Sequence, residues 1–266
     1  MPSVSVVVPT FNSVEYIGRT IEAIRRQTVV PNEIIVVDDC SSDSTFAVVE
    51  DNLARLGMGQ AQAVRLTSNS GPGVARNTGW NLATSEYVAF LDADDSWHPQ
   101  KLEIQLAAME TSPWASFSGH RYLVNETGFP SDFRLTPTRS REVTLGSFLV
   151  RNLFCTPSVM IRRCVELRFS DDREMAEDYL LWLELLAAGA RALLVDSPLV
   201  CLHKPAYGQS GLSSQLRRME RKDLRALRLL RRTHRLSWAT YFAASAFSLL
   251  KYVRRLVMVR FRSLRR

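Results

Sequence analysis

Three carboxylates, Asp92, Asp94 and Asp95, fall within four positions directly after the apolar run Tyr87-Val88-Ala89-Phe90-Leu91. Such a run reads as a buried strand. Like charges crowded at its end repel one another or shift their pKa values unless something offsets them. If the chain stays extended, Asp92 and Asp94 point to the same side. They then form a site for a hard divalent cation, Mg2+ or Mn2+, which completes its oxygen shell with water and phosphate. The cation and the diphosphate it carries would neutralise the cluster; the alternative is a solvated acidic turn. Asp39 follows a second apolar run, Ile34-Ile-Val-Val37. A carboxylate there can accept hydrogen bonds from the ribose or base of a nucleotide, or serve only to form a turn or cap a helix. Asp38 and Asp39 can divide these tasks. Pro9-Thr10-Phe11-Asn12 closes a third such run, and its backbone and the Thr10 hydroxyl can line a base pocket.

The elements that position these residues follow from periodicity. Val4 to Val8, Ile34 to Val37, Ala63 to Leu66 and Tyr87 to Leu91 read as strands. Helices with apolar residues at helical spacing fall between them: one from the Asn12 or Ser13 cap to before Pro31, one from Ser42 or Asp43 to about Arg55, and one from Val74 to Ala83 after a Gly71-Pro-Gly73 turn. Continuous apolar strands alternating with helices predict an α/β fold with a parallel sheet covered on both faces. Ligands bind such sheets at the C-terminal ends of the strands, so Asp39, Asp92 and Asp94 should share one crevice. Further on, the spacing predicts a helix over 99–109, a strand-like segment over 112–124, a polar loop over 125–142, a helix over 176–188 and a short strand over 192–195. Residues 208–214 read as a flexible connection. Glu177 and Asp178 open the 176–188 helix, where acidic charge is favoured by the helix dipole.

Composition narrows the class. Of 266 residues, 46% are hydrophobic, enough for a sizeable core and against wholesale disorder. Cys40, Cys155, Cys164 and Cys201 lack metal-ligand spacing and read as thiols of a reducing compartment. The first strand begins almost at once, with neither basic nor cleavable apolar segment before it, so no secretory signal is expected. The net charge of +7 is divided unevenly: residues 216–266 hold 16 Lys/Arg against two acids, the remainder 18 against 25. That asymmetry predicts a basic tail with an anionic partner. Leu216, Met219, Leu224, Leu227 and Leu230 form a helical stripe among arginines. The apolar run 236–250 is shorter than the ~20 residues a membrane-spanning helix needs. A pair of interfacial helices on an anionic membrane surface is expected, or else a helical hairpin packed on the body with a solvated basic face. No nucleic-acid motif is present, and no nucleic-acid partner is expected.

Taken together, VSVVVPTFNSVEYIGRTIEAIRRQT, EIIVVDDCSSDST and GPGVARNTGWNLATSEYVAFLDADD resemble the GT-A domain of family 2 glycosyltransferases in order and spacing. The resemblance is dense over about 3–110 and resumes at Ala176-Glu177-Asp178-Tyr179-Leu180-Leu181-Trp182. It implies a Rossmann-like nucleotide-binding domain over 1–215, its nucleotide half 1–110 and its acceptor half 111–215, followed by the basic helical tail 216–266. The implied reaction is an inverting, metal-dependent transfer from a nucleotide-diphosphate sugar, often a UDP-sugar. The acceptor would be a glycan hydroxyl in surface polysaccharide synthesis; the basic tail, not the resemblance, points to the cytoplasmic face of the membrane and so to a polyprenyl-linked glycan as acceptor. By the same resemblance Pro9, Thr10 and Asp39 match the nucleoside pocket, Asp92 and Asp94 the metal and diphosphate pair, and Asp178 the catalytic base, with Glu177 beside it.

There are departures. Cys40 stands where many relatives have glycine, which implies a backbone that avoids positive φ. Arg76 reads as an ordinary helix residue, with no clear match to a basic base-contact residue near Gly71. His203 and Ser210-Gly211-Leu212-Ser213 fit only loosely a loop that covers the diphosphate, and a merely polar or buried histidine is the commoner case. Two other readings remain. A nucleotidyltransferase would need a glycine-rich loop and lysine after the first strand, where Pro9-Thr10-Phe11-Asn12 stands. A non-catalytic adaptor would be expected to lose the aspartate pair or the Glu177-Asp178 pair, and both are present.

Overall fold

The computed structural model describes residues 2–57, 60–135, 139–203 and 216–263. Its centre is a mixed sheet in the order β3 (Ala61–Arg65), β2 (Glu33–Asp38), β1 (Val4–Thr10), β4 (Tyr87–Phe90), β8 (Met160–Arg162), β6 (Phe117–Val124), β9 (Ala192–Leu202), β5 (Ser96–Trp97), with β7 (Ser140–Val143) paired to β9. β1 (Val4–Thr10), β2 (Glu33–Asp38), β3 (Ala61–Arg65) and β4 (Tyr87–Phe90) are mutually parallel. β1, β2 and β4 are buried along their whole length, as β-branched strands covered on both faces must be. α1 (Ile17–Arg25), α2 (Thr45–Leu56) and α3 (Pro72–Leu82) connect them. α3 lies unusually close to the sheet: a Cβ on Gly79 would sit 2.4 Å from Val7 Cγ1.

The second half of the sheet is where sequence periodicity fails. β5 (Ser96–Trp97), β8 (Met160–Arg162) and β7 (Ser140–Val143) are short, and each pairs antiparallel. α4 (Lys101–Glu110) packs against the two long strands of this half, Phe117–Val124 and Ala192–Leu202. The strand expected over 112–124 begins only at Phe117, as β6 (Phe117–Val124), because Ser112 to Ala115 forms a turn. The loop expected over 125–142 yields its last residues to β7. The strand expected over 192–195 extends as β9 (Ala192–Leu202) straight through Pro198. The β6–β9 register shifts at Arg121, opposite Pro198. A bulge is where a strand tolerates a residue with no N–H to donate. α5 (Leu145–Val150) and α6 (Glu177–Ala187) close this side. Trp182 of α6 stacks on Phe117 at 5.6 Å.

Two C-terminal helices follow, α7 (Leu216–Arg232) and α8 (Trp238–Ser263). The α7 stripe turns inward: Ala226, Leu227 and Leu230 join the core cluster that holds Phe117, Trp182 and Leu194. For α7 this is the hairpin packed on the body. Among the described residues, α8 contributes Ala244 to that core with Tyr241 packed against it, and exposes Trp238, Phe242, Leu250 and Val253. Among the described residues no helix is long and apolar enough to cross a membrane.

Candidate active site

The parallel strands end at a cleft of about 540 Å3, and Pro9, Thr10, Asp39, Asp92 and Asp94 all line it. The crevice expected from strand order is therefore present. Asp39 is 4% exposed, and both its oxygens accept backbone N–H groups, from Ser70 at 2.6 Å and Gly71 at 2.7 Å. Its own N–H donates to Thr10 O at 2.8 Å. Asp39 thus fastens the loop before α3 to the ends of β1 and β2, and Gly71, at φ 97, makes the turn into that helix. Asp38 is wholly buried and holds its own turn, accepting from Ser41 N at 3.1 Å and pairing with Arg65 at 3.3 Å. Directly after them Cys40 takes φ 62, contrary to the negative φ expected of a non-glycine residue. Asp38 and Asp39, each bound to a different loop, bend the chain past its steric preference. The Thr10 hydroxyl is buried in the cleft wall and has no hydrogen-bond partner among the described residues.

The acidic segment is not extended. Asp95 N–H donates to Asp92 O at 3.1 Å, which closes a turn. Asp92 and Asp94 still share a side, because burial alternates: both are half-open toward the cleft, whereas Ala93 and Asp95 are buried. α1 holds the turn in place. Arg19 donates to Asp94 O at 2.7 Å, and the Thr20 hydroxyl reaches Ala93 O at 2.8 Å and Asp95 O at 2.9 Å.

Arg76 is no ordinary helix residue. It is 5% exposed, and its guanidinium donates to Asp92 Oδ1 at 2.7 Å and to Glu177 Oε1 at 3.3 Å. Burial opposes its charge, but Asp92, Glu177 and Asp178 more than offset that and hold it protonated. The chain thus supplies its own cation to the cluster. The signal was available: Gly73, Arg76 and Trp80 fall on one face of α3, and all three are buried.

Asp178 faces elsewhere. It lines a second cavity of about 1060 Å3, bounded by α5, α6, α7 and α8, whereas Glu177, Asp92, Arg76 and Lys222 line both spaces. Tyr179 N–H donates to Asp178 Oδ1 at 2.6 Å, and the Thr156 hydroxyl lies 3.4 Å from Oδ2. Burial, then the neighbouring Glu177, pushes the Asp178 carboxyl up to about 6. A carboxylate titrating there is ionised at neutral pH and is a better proton acceptor than an ordinary aspartate. His203 lines neither space; its ring nitrogens meet Ser96 Oγ at 2.7 Å and Glu126 O at 3.0 Å. Residues 210–213 lie outside the described residues.

Residues 5–174 match Glycosyl transferase family 2. The putative teichuronic acid biosynthesis glycosyltransferase TuaG of Bacillus subtilis is 32% identical over 88% of this chain and 90% of its own length. The chain is a family 2 glycosyltransferase. A second relative, 30% identical over 79% of each chain, is the Escherichia coli UDP-Glc:alpha-D-GlcNAc-diphosphoundecaprenol beta-1,3-glucosyltransferase WfgD. The structure of S. aureus TarS with UDP-GlcNAc superposes with a TM-score of 0.70 at 22% identity, covering 95% of this chain and 72% of that one. This likeness establishes that the glycosyltransferase has the GT-A fold.

The donor set suits a divalent cation. Asp92 and Asp94 are half-open toward the cleft, and Asp92 keeps Oδ2 for a cation while Oδ1 accepts from Arg76. Among the described residues no group of three or more His, Cys, Asp and Glu makes a closed metal site. Two carboxylates on an open rim fit Mg2+ or Mn2+, which takes its remaining oxygens from a diphosphate and water. They do not fit a metal that needs a full protein cage.

Proposed function

We propose that this glycosyltransferase moves a sugar from a nucleoside-diphosphate donor, a UDP-sugar, to a hydroxyl of a glycan or lipid-linked glycan, with inversion, in surface polysaccharide synthesis. One observation carries the reading. Asp178 opens into a large cavity that meets the aspartate-lined cleft along a shared wall of Arg76, Asp92, Glu177 and Lys222. Donor and acceptor therefore have separate rooms with one partition.

In the cleft, Pro9, Thr10 and Asp39 would bound the nucleoside; the buried Thr10 hydroxyl, without a hydrogen-bond partner among the described residues, lies in the wall behind it. The N-terminal end of α3, with Pro72 and Gly73 on the cleft wall, presents its positive pole to the diphosphate. Asp92 and Asp94 would hold Mg2+ or Mn2+, which when bound supplies positive charge that favours departure of the nucleoside diphosphate. Arg76 orients Asp92 and Glu177. Asp178 takes the proton of the acceptor hydroxyl as its oxygen bonds to the anomeric carbon from the side opposite the leaving group. The names of the two relatives support both the UDP-sugar and the polysaccharide setting.

We read residues 1–110 as the nucleotide half, 111–215 as the acceptor half, and 216–266 as a tail whose second helix lies on the inner face of the cell membrane. Support comes from the exposed apolar side chains of α8 within a strongly basic segment. A hydrolysis screen of UDP-, GDP- and dTDP-sugars with Mn2+ tests the function. Preferential turnover of one UDP-sugar, abolished by EDTA, is expected. No turnover and no nucleotide-induced thermal shift with any donor would return the chain to a non-catalytic role.

A further inference from the structure

The second cavity has two chemically different ends. One end is the wall shared with the donor cleft, where Asp92 and Glu177 stand with Arg76 and Lys222, and Asp178 adjoins it on the side of the larger cavity. The other is built by the end of α5 and one face of α8. α8 contributes Phe247, Ser248, Lys251, Arg254, Arg255 and Met258, spaced as one helix face, and none of them reaches the donor cleft. Arg151, next to α5, adds a fourth cation. Neither α5 nor α8 places an acid in the lining. Lys251 is fixed there by donating to Val150 O at 2.9 Å. Burial, then the adjoining Arg255, lowers its pKa, while Asp223 and Glu220 of α7 act the other way. Of these two acids only Asp223 lines the cavity. Arg151 and Arg254 are exposed, with no ion-pair partner among the described residues.

A neutral sugar chain gains little from Arg151 and Arg254, two exposed cations on the wall of a cavity with Lys251 and Arg255 beside them. An anion with several acceptor oxygens binds such a set through charge-assisted hydrogen bonds. We propose that the α5–α8 end of the cavity is a phosphate subsite for the acceptor: the acceptor carries a phosphodiester or diphosphate held by Arg151, Lys251, Arg254 and Arg255, with its hydroxyl end at Asp178. This deepens the function proposed above and rests on that reading for the role of the cavity. The phosphate can belong to a lipid diphosphate or to a phosphate-linked polyol chain.

The test measures binding of the full chain, with UDP and Mn2+ present to fill the donor cleft. The probes are farnesyl diphosphate below its micellar concentration, a ribitol-phosphate oligomer, and their uncharged counterparts farnesol and ribitol. One phosphate probe should bind, its neutral counterpart much less, and whichever probe binds names the source. R151E/R254E should weaken that binding by about tenfold or more, whereas R151K/R254K retains most of it. Equal melting temperatures for wild type and variants show that the fold is intact. Equal binding of phosphate and neutral probes overturns the proposal, as does an unaffected R151E/R254E. So does a defect in that variant confined to anionic phospholipid vesicles, since the arginines would then face a membrane and not an acceptor. Phosphate-probe binding by a wild-type chain that ignores UDP would leave the subsite standing while removing the donor reading.

Discussion

Arg76 Nη2 lies 2.7 Å from Asp92 Oδ1, and the same guanidinium reaches Glu177 on a helix 101 residues further along the chain. One buried cation thereby joins the acidic turn after β4 to the start of α6, so the two acidic motifs are held as one unit. Replacing it leaves two half-buried carboxylates without their partner, a loss that in buried pairs is strongly destabilising. Arg76→Ala should cost about 2–3 kcal/mol in urea unfolding and reduce turnover more than that loss explains. Arg76→Lys, able to reach only one partner at a time, should recover part of the stability and little of the turnover.

Asp178→Asn separates chemistry from folding. Removal of a general base lowers the rate by about 10²–10⁴-fold, so transfer should fall in that range with the donor KM nearly unchanged. The folded carboxyl titrates at about 6, above the ordinary aspartate value, because burial and Glu177 disfavour its charge. Ionising it therefore costs stability above pH 6. That cost fades as pH falls through the window from 6 toward 4 and is absent below it. At pH 7 the asparagine variant should be more stable than wild type by about 1–2 kcal/mol, and at pH 4 the difference should vanish. Equal urea midpoints at pH 7 would contradict this.

The role proposed for Asp178 also sets the pH dependence expected of the wild-type enzyme. A base must be ionised to accept the acceptor's proton, so kcat/KM should decline below about pH 6, tenfold per pH unit. The limb should be missing from the residual activity of Asp178→Asn.

Asp39→Ala removes the acceptor of two backbone N–H groups, those of Ser70 and Gly71, and so unfastens the loop that leads into α3. UDP affinity measured by calorimetry should drop at least about tenfold, with a stability loss of about 1–3 kcal/mol. Asp39→Asn should fall between, since one oxygen remains to accept.

Much of the chain through β4 was legible because its signals are local. Val4–Thr10, Glu33–Asp38 and Tyr87–Phe90 are apolar along their whole length, and each polar cluster follows its strand directly. Where a contact depends on distant pairing, the signal was weaker. β5 is two residues long and exists only because Ser96 and Trp97 pair with Cys201 and Val200. Cys40 adopts positive φ because Asp38 and Asp39 hold the loops on either side. Arg76 carried a helix-face signal, but its two partners stand 16 and 101 residues away. The leucine stripe of α7 was plain in the sequence, though nothing there said whether lipid or protein would cover it.

Because α7 supplies Leu227 and Leu230 to the core, deleting 216–266 would damage the fold and confound any membrane assay. Point charges on α8 avoid this. Leu250→Glu with Val253→Glu alters two exposed residues, 67% and 55% accessible. The pair should abolish co-sedimentation with vesicles containing phosphatidylglycerol while leaving the melting temperature within about 2 °C. Undiminished co-sedimentation would show that α8 does not touch lipid.

Glu177 and Asp178 are consecutive residues, yet one opens on both cavities and the other on the larger alone. α6 therefore begins at the edge of both cavities, so a shift of its first turn reshapes the two at once.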